Sequence, residues 1–177
     1  MEDIKKAILN ANENKNWYAS LFLSLTIPDI CGKLENPSMN SKDRYINWFN
    51  RYIKNSYTDK NGFEFLTGDD CYALRCAVLH EASDEIEFQR ARKILNSIKF
   101  TNNNSHCNYI NVNDKKILQL NIKKFTEDII SAFDEWYNNI KDNKKNIKDN
   151  KNMKQKIENI VKIEKQLSIG NGAVVIS

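Results

Sequence analysis

Apolar residues recur at helical spacing through most of the chain. Over residues 3–13 they stand three and four positions apart, which predicts a short amphipathic helix, and the nearly continuous apolar run over 17–26 predicts a second helix. Pro28 fits the first turn of a further helix, with Asp29 near the positive end of its dipole. Gly32 is the expected position of a bend.

Three more helices are predicted in the next part of the chain. The first opens at Ser41, and its apolar stripe is typical of a core rather than of a base-stacking surface. That stripe consists of Tyr45, Trp48, Phe49, Tyr52 and Ile53. Thr67, followed three residues later by Asp70, resembles a capping box and predicts where the second helix begins. The third spans about 84–95, with cationic residues near its C-terminal end, where the helix dipole favours them.

The hydrophobic period changes from helical to alternating after a run of three asparagines. Residues 107–112 alternate, Asn113 and Asp114 turn the chain, and residues 116–122 return. This pattern predicts a β-hairpin, which residues 98–100 can join as a further strand.

A long amphipathic helix is predicted after the hairpin. Its apolar residues are three or four positions apart and form a continuous stripe: Phe125, Ile129, Phe133, Trp136 and Ile140. Beyond it, residues 139–144 recur as 146–151, and apolar anchors are sparse. Residues 141–167 are therefore predicted to be a Lys/Asn-rich extension, either helical or disordered. Residues 168–177 are predicted to be a flexible tail whose apolar residues suit a protein partner.

These elements predict a mainly α fold. The expected architecture is one helical-bundle domain over residues 1–140, with a small β-hairpin insertion at about 98–122 and a long C-terminal helix. A length of 177 residues, with 41% hydrophobic and 28% charged residues, is ordinary for a globular domain. No stretch approaches eighteen consecutive apolar residues, and the first residues lack the pattern of a secretory signal. We therefore expect a cytoplasmic protein without a membrane segment.

The net charge of +4 is concentrated near the end of the sequence. Residues 141–165 hold nine lysines and four acidic residues, a balance of +5, so the remainder of the chain carries −1. The body of the protein is therefore not a basic nucleic-acid surface. Attraction to phosphate must come from the lysine-rich segment or from a small, concentrated pocket.

The cysteines follow neither a disulfide framework nor the usual spacing of a metal site. They are Cys31, Cys71, Cys76 and Cys107. Cys76 and His80 are one helical turn apart, and His106 adjoins Cys107, which is compatible with a zinc site, but the Cys-x-x-Cys pair typical of such sites is missing. We expect the cysteines to act as small buried apolar residues, and we expect neither a metal nor another cofactor.

The helix that begins at Thr67 carries the most informative chemistry. Between Cys71 and Leu79 the only charged residue is Arg75. A helix that is apolar on nearly every side is buried, and a guanidinium is almost never buried without a partner. Arg75 is therefore expected to meet a carboxylate, a phosphate or water in a pocket.

Arg75, four intervening residues and His80 resemble the signature of the HEPN superfamily. Its members are helical-bundle proteins, many of them RNases of toxin–antitoxin, phage-defence and CRISPR systems. The resemblance implies metal-free RNA cleavage, with His80 as acid or base on a ribose 2′-hydroxyl and Arg75 stabilising the charge on phosphorus. Cys76 stands where active members usually carry a polar residue, often Asn or Asp, and a thiol is a weak hydrogen-bond donor.

The resemblance also implies a homodimer. Five residues along a helix rotate about 140° and rise roughly 7.5 Å, so the side chains of Arg75 and His80 are not expected to share a face of one chain. A symmetric pair of chains would bring two copies together around one phosphate. Segments 25–32 and 68–76 are also similar to segments of uncharacterised bacterial and phage proteins, which implies no activity. They suggest one buried polar cluster formed by Asp29, Asp70, Tyr72, Arg75 and His80.

Other functions stay open at this point. The chain can be a catalytically silent relative, or a binding module in which Arg75 anchors a phosphate or carboxylate and Tyr72 holds the base of a nucleotide signal. It can also engage a protein partner through its tail. In a purely structural alternative, Arg75 pairs with Asp29, Asp70 or another carboxylate while His80 caps the end of its helix.

Overall fold

The computed structural model describes residues 2–142 and 155–157. Within them the chain is mainly helical, as the sequence predicts, with five α-helices, a short 3-10 helix and one three-stranded sheet. The elements are α1 (Glu2–Glu13), α2 (Trp17–Glu35), α3 (Ser41–Tyr52), the 3-10 helix (Lys54–Tyr57), α4 (Gly68–Glu81), β1 (Ser97–Thr101), β2 (Asn108–Val112), β3 (Lys115–Asn121) and α5 (Ile122–Asp142). None of these helices is long and apolar enough to cross a membrane.

Helix α2 is the central helix and packs against each of the other four α-helices. The prediction that a new helix begins at Pro28 is wrong, because Pro28 lies buried inside α2. A proline there removes one backbone hydrogen bond, and burial of the apolar residues on both sides outweighs that loss.

The predicted bend at Gly32 is also absent, because Gly32 lies within α2. A Cβ at Gly32 would lie 2.8 Å from the backbone oxygen of Arg44, so glycine allows α3 to approach α2 closely.

Helix α4 begins at the predicted cap. The backbone N–H of Asp70 donates to Thr67 Oγ1 over 3.1 Å, and Thr67 Oγ1 donates to Asp70 Oδ2 over 2.7 Å. The helix ends at Glu81, after which Ala82 adopts a left-handed conformation and its N–H donates to the carbonyl of Ala77. Both ends of α4 are thus fixed by local hydrogen bonds.

The helix predicted over 84–95 does not form. The reason is Asp70, whose Oδ1 accepts the backbone N–H groups of Lys93, Ile94 and Leu95 at 2.7, 3.0 and 3.3 Å. Those three donors would be used within the helix if 84–95 were helical. The buried carboxylate instead fixes this segment as an irregular loop that leads into β1.

The predicted hairpin is present but belongs to a larger sheet. Strands β2 and β3 are antiparallel and joined by Asn113 and Asp114, whose φ angles of 49° and 61° suit a tight two-residue turn. Strand β1 adds to the other edge of β3 in parallel, giving the order β1-β3-β2. Phe100 of β1 packs edge-on against Phe125 of α5, so the third strand helps to cover the core.

Helix α5 closes the core as predicted. All five residues of its predicted apolar stripe are buried, and Trp136 Nε1 donates to Glu35 Oε1 of α2 over 3.1 Å. Of the predicted extension 141–167, residues 141–142 complete α5, and 155–157 are helical with Ile157 buried. Its other residues and the predicted tail 168–177 lie outside the described residues.

Candidate functional site

Arg75 lies where α4 meets α2. Its Nε donates to Asp29 Oδ2 over 2.6 Å, and the two side chains are 21% and 14% exposed. Neighbouring residues of α4, such as Leu74 and Ala77, are fully buried in the core. Arg75 lies at the edge of that buried surface and is half-buried. The expected partner is therefore a carboxylate, and part of the guanidinium remains open to solvent.

Asp29 is itself held in place by a second contact. Ser41 Oγ, at the start of α3, donates to Asp29 Oδ1 over 3.3 Å. Burial on its own lowers the pKa of Arg75, but attraction to Asp29 and the hydrogen bond between them outweigh it, and the pKa is raised above its ordinary value. The guanidinium is therefore a permanent cation whose charge is balanced by one carboxylate.

Arg75 also contacts His80 within the same chain. Arg75 NH1 lies 3.0 Å from His80 Nε2. Because a guanidinium can only donate, a hydrogen bond between these atoms requires Nε2 as the acceptor, with the ring proton on Nδ1. The expectation that the two side chains stay apart in one chain is wrong, since a long arginine side chain spans the distance that the helix rotation opens. Asp29, Arg75 and His80 form one chain of contacts, here called the Arg75 cluster.

Asp70 does not belong to the Arg75 cluster. It is fully buried, and its two oxygens are occupied by Thr67 and by the loop before β1. The prediction of one polar cluster that includes Asp70 is wrong, because a buried carboxylate needs several donors and the loop supplies them. Its position is structural.

Tyr72 and Cys76 lie on the half-buried side of α4. The Tyr72 ring packs against Tyr45, with centroids 5.3 Å apart and an interplanar angle of 67°. A side-chain hydrogen bond with Cys76 contributes, after the attraction to Asp29, to the raised pKa of Arg75. Cys76 is therefore the predicted binding residue that touches the Arg75 cluster, whereas Tyr72 belongs to an aromatic pair.

Burial holds three of the cysteines as thiols, and it raises the pKa of Cys31 well above its ordinary value. Burial raises the pKa of Cys71 to about 12 and that of Cys107 to about 11. None of the three is a thiolate nucleophile at neutral pH. Cys31 and Cys71 are buried, as the sequence predicts, whereas Cys76 and Cys107 are half-buried.

A groove lined by α2 and α4, the two helices that carry Asp29 and Arg75, was not predicted from the sequence. It has a volume of about 900 Å³ and lies between the start of α2, the end of α4 and the end of β1. Tyr18 and Phe22 form its exposed rim, at 78% and 37% exposure. The signal available in the sequence is this pair of aromatic residues four apart, which there predicts only part of the helix over 17–26.

His106 is a polar residue that the sequence suggested only as part of a zinc site with Cys107. Its side chain is 15% exposed, and neither ring nitrogen has a hydrogen-bond partner among the described residues. His106 Nε2 lies 3.8 Å from Asp128 Oδ2, and its ring packs against Tyr57. Burial lowers the pKa of His106, against the attraction of Asp128, and the nearby Lys124 lowers it further.

The side chains of the site are the basis for assigning its chemistry. Comparison of the chain with protein-family models, with curated proteins and with solved structures finds no match. Across the part of the chain that the structure describes, no three His, Cys, Asp or Glu side chains are arranged to hold a metal ion. The Arg75 cluster offers a fixed guanidinium, an imidazole and a carboxylate that orients the guanidinium. Those groups suit phosphate binding and proton transfer.

Proposed function

We propose that the Arg75 cluster binds a phosphodiester and cleaves RNA without a metal ion, as the resemblance to HEPN proteins implies. The observation that supports it is the 3.0 Å contact between Arg75 NH1 and His80 Nε2. It puts a permanent cation beside an imidazole nitrogen that can accept a proton, with His80 exposed to solvent. Cleavage of RNA uses both groups. The cation stabilises the charge that develops on the phosphate, and the acceptor takes the proton of the ribose 2′-hydroxyl.

In the proposed reaction, Arg75 turns its NH1 edge from His80 to a phosphate oxygen, while Asp29 keeps hold of Nε. His80 Nε2, now released, takes the proton of the ribose 2′-hydroxyl. The 2′ oxygen bonds to phosphorus, and the bond from phosphorus to the 5′ oxygen breaks. The products are a 2′,3′-cyclic phosphate and a 5′-hydroxyl, once the leaving oxygen has gained a proton.

The proposed reaction gives a homodimer a definite task. His80 accepts one proton during the attack, so the proton for the 5′ oxygen comes from a second, protonated His80. A symmetric dimer brings that second residue to the same phosphate. We therefore propose the dimer because it supplies the second proton donor. Contact between Arg75 and His80 does not require it, since the two residues already meet within one chain.

The second candidate function is a binding module without catalysis, in which Arg75 anchors a phosphate or carboxylate of a nucleotide signal or a protein. The observation that favours it is the Asp29 contact, which balances the charge of Arg75. Cys76 favours it as well, because a thiol orients a phosphate oxygen less well than an amide. This candidate includes a catalytically silent relative of the RNases.

The setting of either function is also a proposal. We place the protein in the cytoplasm, where RNA and nucleotide signals are available, and in a toxin–antitoxin or phage-defence role. Binding of a protein partner through residues 168–177 is supported by the composition of that segment alone.

Incubation of the full-length chain with labelled single-stranded RNA in EDTA tests the proposal. We expect cleavage that ends in 2′,3′-cyclic phosphates and that is lost in Arg75→Ala and His80→Ala. Arg90→Ala, which removes an exposed arginine outside the Arg75 cluster, is the matched control and should cleave normally.

RNA left intact by the folded wild-type protein would overturn the cleavage proposal. Binding of inorganic phosphate or of a cyclic nucleotide that is lost in Arg75→Ala would then support the binding module. Absence of both would leave the Asp29–Arg75 pair as a structural contact.

A further inference from the structure

The groove at the end of α4 is lined by the same two helices, α2 and α4, that carry Asp29 and Arg75. On α2, Tyr18, Phe22 and Asp29 lie within about 40° of one another around the helix axis, so the rim and Asp29 share one face. On α4, Val78 lines the groove and follows Arg75 by three residues. Arg75 and Asp29 are hydrogen-bonded to each other. The line along which α2 and α4 meet therefore extends from this pair toward the groove.

The groove and the Arg75 cluster are also close along both helices. Val78 is about 4.5 Å from Arg75 in helical rise, and Phe22 is about 10 Å from Asp29. A chain of two or three nucleotides can therefore contact both places at once. The guanidinium is the natural position for its phosphate, because it supplies the cation.

The lining of the groove suits an uncharged planar ring. Apolar and aromatic residues form much of its wall, including Trp17, Leu21 and Phe100. The carboxylate of Asp84 is paired with Lys99 at 2.7 Å. No lysine, arginine or histidine is among the described residues that line it, so the groove has no cationic side chain that could bind an anion.

Polar neutral groups line the other side of the groove. Asn102, Asn103 and Ser83 are among the residues that line it, and the side-chain oxygens of Asn103 and Ser83 already accept backbone N–H groups. At the rim, the rings of Tyr18 and Phe22 meet edge-on with centroids 6.5 Å apart, and both are exposed. An uncharged heterocycle with donors and acceptors on its edge can stack on the rim and hydrogen-bond with this side.

We propose that this groove binds the nucleobase of the nucleotide next to the phosphate at Arg75. This inference rests on the proposed function and names its substrate class, which is single-stranded RNA. A base within a duplex is stacked and paired, so it cannot enter a groove between two helices, whereas a base in a single strand or loop can.

Titration with the four uncharged nucleosides tests the groove separately from phosphate chemistry. Trp17 lines the groove, whereas the other two tryptophans, Trp48 and Trp136, are fully buried, so tryptophan fluorescence reports on this position. We expect at least one nucleoside to bind. Tyr18→Ala and Phe22→Ala should each weaken that binding at least about fivefold, the effect of losing one stacking contact.

Two controls make the result specific. Phe88→Ala removes an aromatic ring that is 92% exposed and does not line the groove, so it should leave binding unchanged. Arg75→Ala should also leave nucleoside binding unchanged, because a nucleoside has no phosphate. In RNA cleavage, Phe22→Ala should raise KM more than it lowers kcat.

The outcomes separate the two proposals. No nucleoside binding, or binding that Tyr18→Ala and Phe22→Ala do not change, overturns the nucleobase groove even if RNA is cleaved. Nucleoside binding that depends on the rim, together with intact RNA, supports the groove and overturns the cleavage function.

Discussion

Asp29 and Arg75 are 46 residues apart in the chain, yet Asp29 Oδ2 accepts a hydrogen bond from Arg75 Nε over 2.6 Å. The pair joins α2 to α4, and it fixes which edge of the guanidinium is free to make other contacts. This orientation decides the contacts of the guanidinium. Its Nε donates to Asp29, and its NH1 lies beside the exposed His80.

Asp29→Asn should therefore lower stability and also loosen the guanidinium. The pair is half-buried, so we expect a loss of about 1–2 kcal/mol, between the values for exposed and buried ion pairs. Urea unfolding measures the change. Glu127→Gln, in an ion pair whose two side chains are at least half exposed, is the matched control and should cost under about 0.5 kcal/mol. Equal losses in the two variants would contradict a special role for the Asp29 contact.

Asp70→Ala should be the most destabilising of the acidic substitutions. It leaves three backbone N–H groups of the loop before β1 and the Thr67 hydroxyl without their acceptor, so we expect a loss of about 3 kcal/mol or more. Asp69→Ala, its half-buried neighbour, should cost under about 1 kcal/mol. Denaturant unfolding compares them, and similar stability of the two variants would show that the loop does not depend on this carboxylate.

His106 should make stability depend on pH. Burial lowers its pKa in the folded state, so below the ordinary value of about 6.5 the unfolded chain binds more protons than the folded one. The contribution of neutral His106 is complete above that value and is lost as the pH falls toward the lowered pKa. The free energy of unfolding should decrease from pH 7 to 5, and less steeply in His106→Phe. Asp128, which opposes the shift, and Lys124, which adds to it, face the same ring. Parallel pH profiles for wild type and His106→Phe would contradict this account.

Cys76→Asn should increase RNA cleavage if the proposed function is right. An amide next to Arg75 can donate a hydrogen bond to a phosphate oxygen far better than a thiol, and one such bond to a charged group is worth about 1.5–3 kcal/mol. We expect a gain of about tenfold in kcat/KM. Cys107→Asn changes a half-buried cysteine outside the Arg75 cluster and should bring no gain. A loss of cleavage in Cys76→Asn, with the fold intact by circular dichroism, would count against phosphate binding at this position.

Much of the fold could be predicted because its signals are local. The apolar stripe of α5, the cap at Thr67 and the turn at Asn113 and Asp114 depend on neighbours within a few residues. The helix predicted over 84–95 failed because its backbone donors belong to Asp70, more than twenty residues earlier. Such a contact leaves no periodic mark in the sequence.

The site could be predicted only in part for the same reason. The pattern around Arg75 indicated a buried guanidinium that needs a partner, and Asp29 was among the partners considered. The prediction that Arg75 and His80 lie apart was wrong because it used only the rotation of the helix. It took no account of the length of the arginine side chain, which reaches His80. The groove joins residues from two helices and a strand, so it exists only in the folded chain.

The most direct test of the cleavage function compares wild type with His80→Gln on single-stranded RNA in EDTA, with the product ends identified by mass spectrometry. Glutamine can still accept the hydrogen bond from Arg75 but cannot take up the ribose proton. The account predicts 2′,3′-cyclic phosphate ends from wild type and a rate at least about 100-fold lower for His80→Gln, the contribution of a general base. RNA left intact by both proteins, or cleaved by both at the same rate, would contradict it.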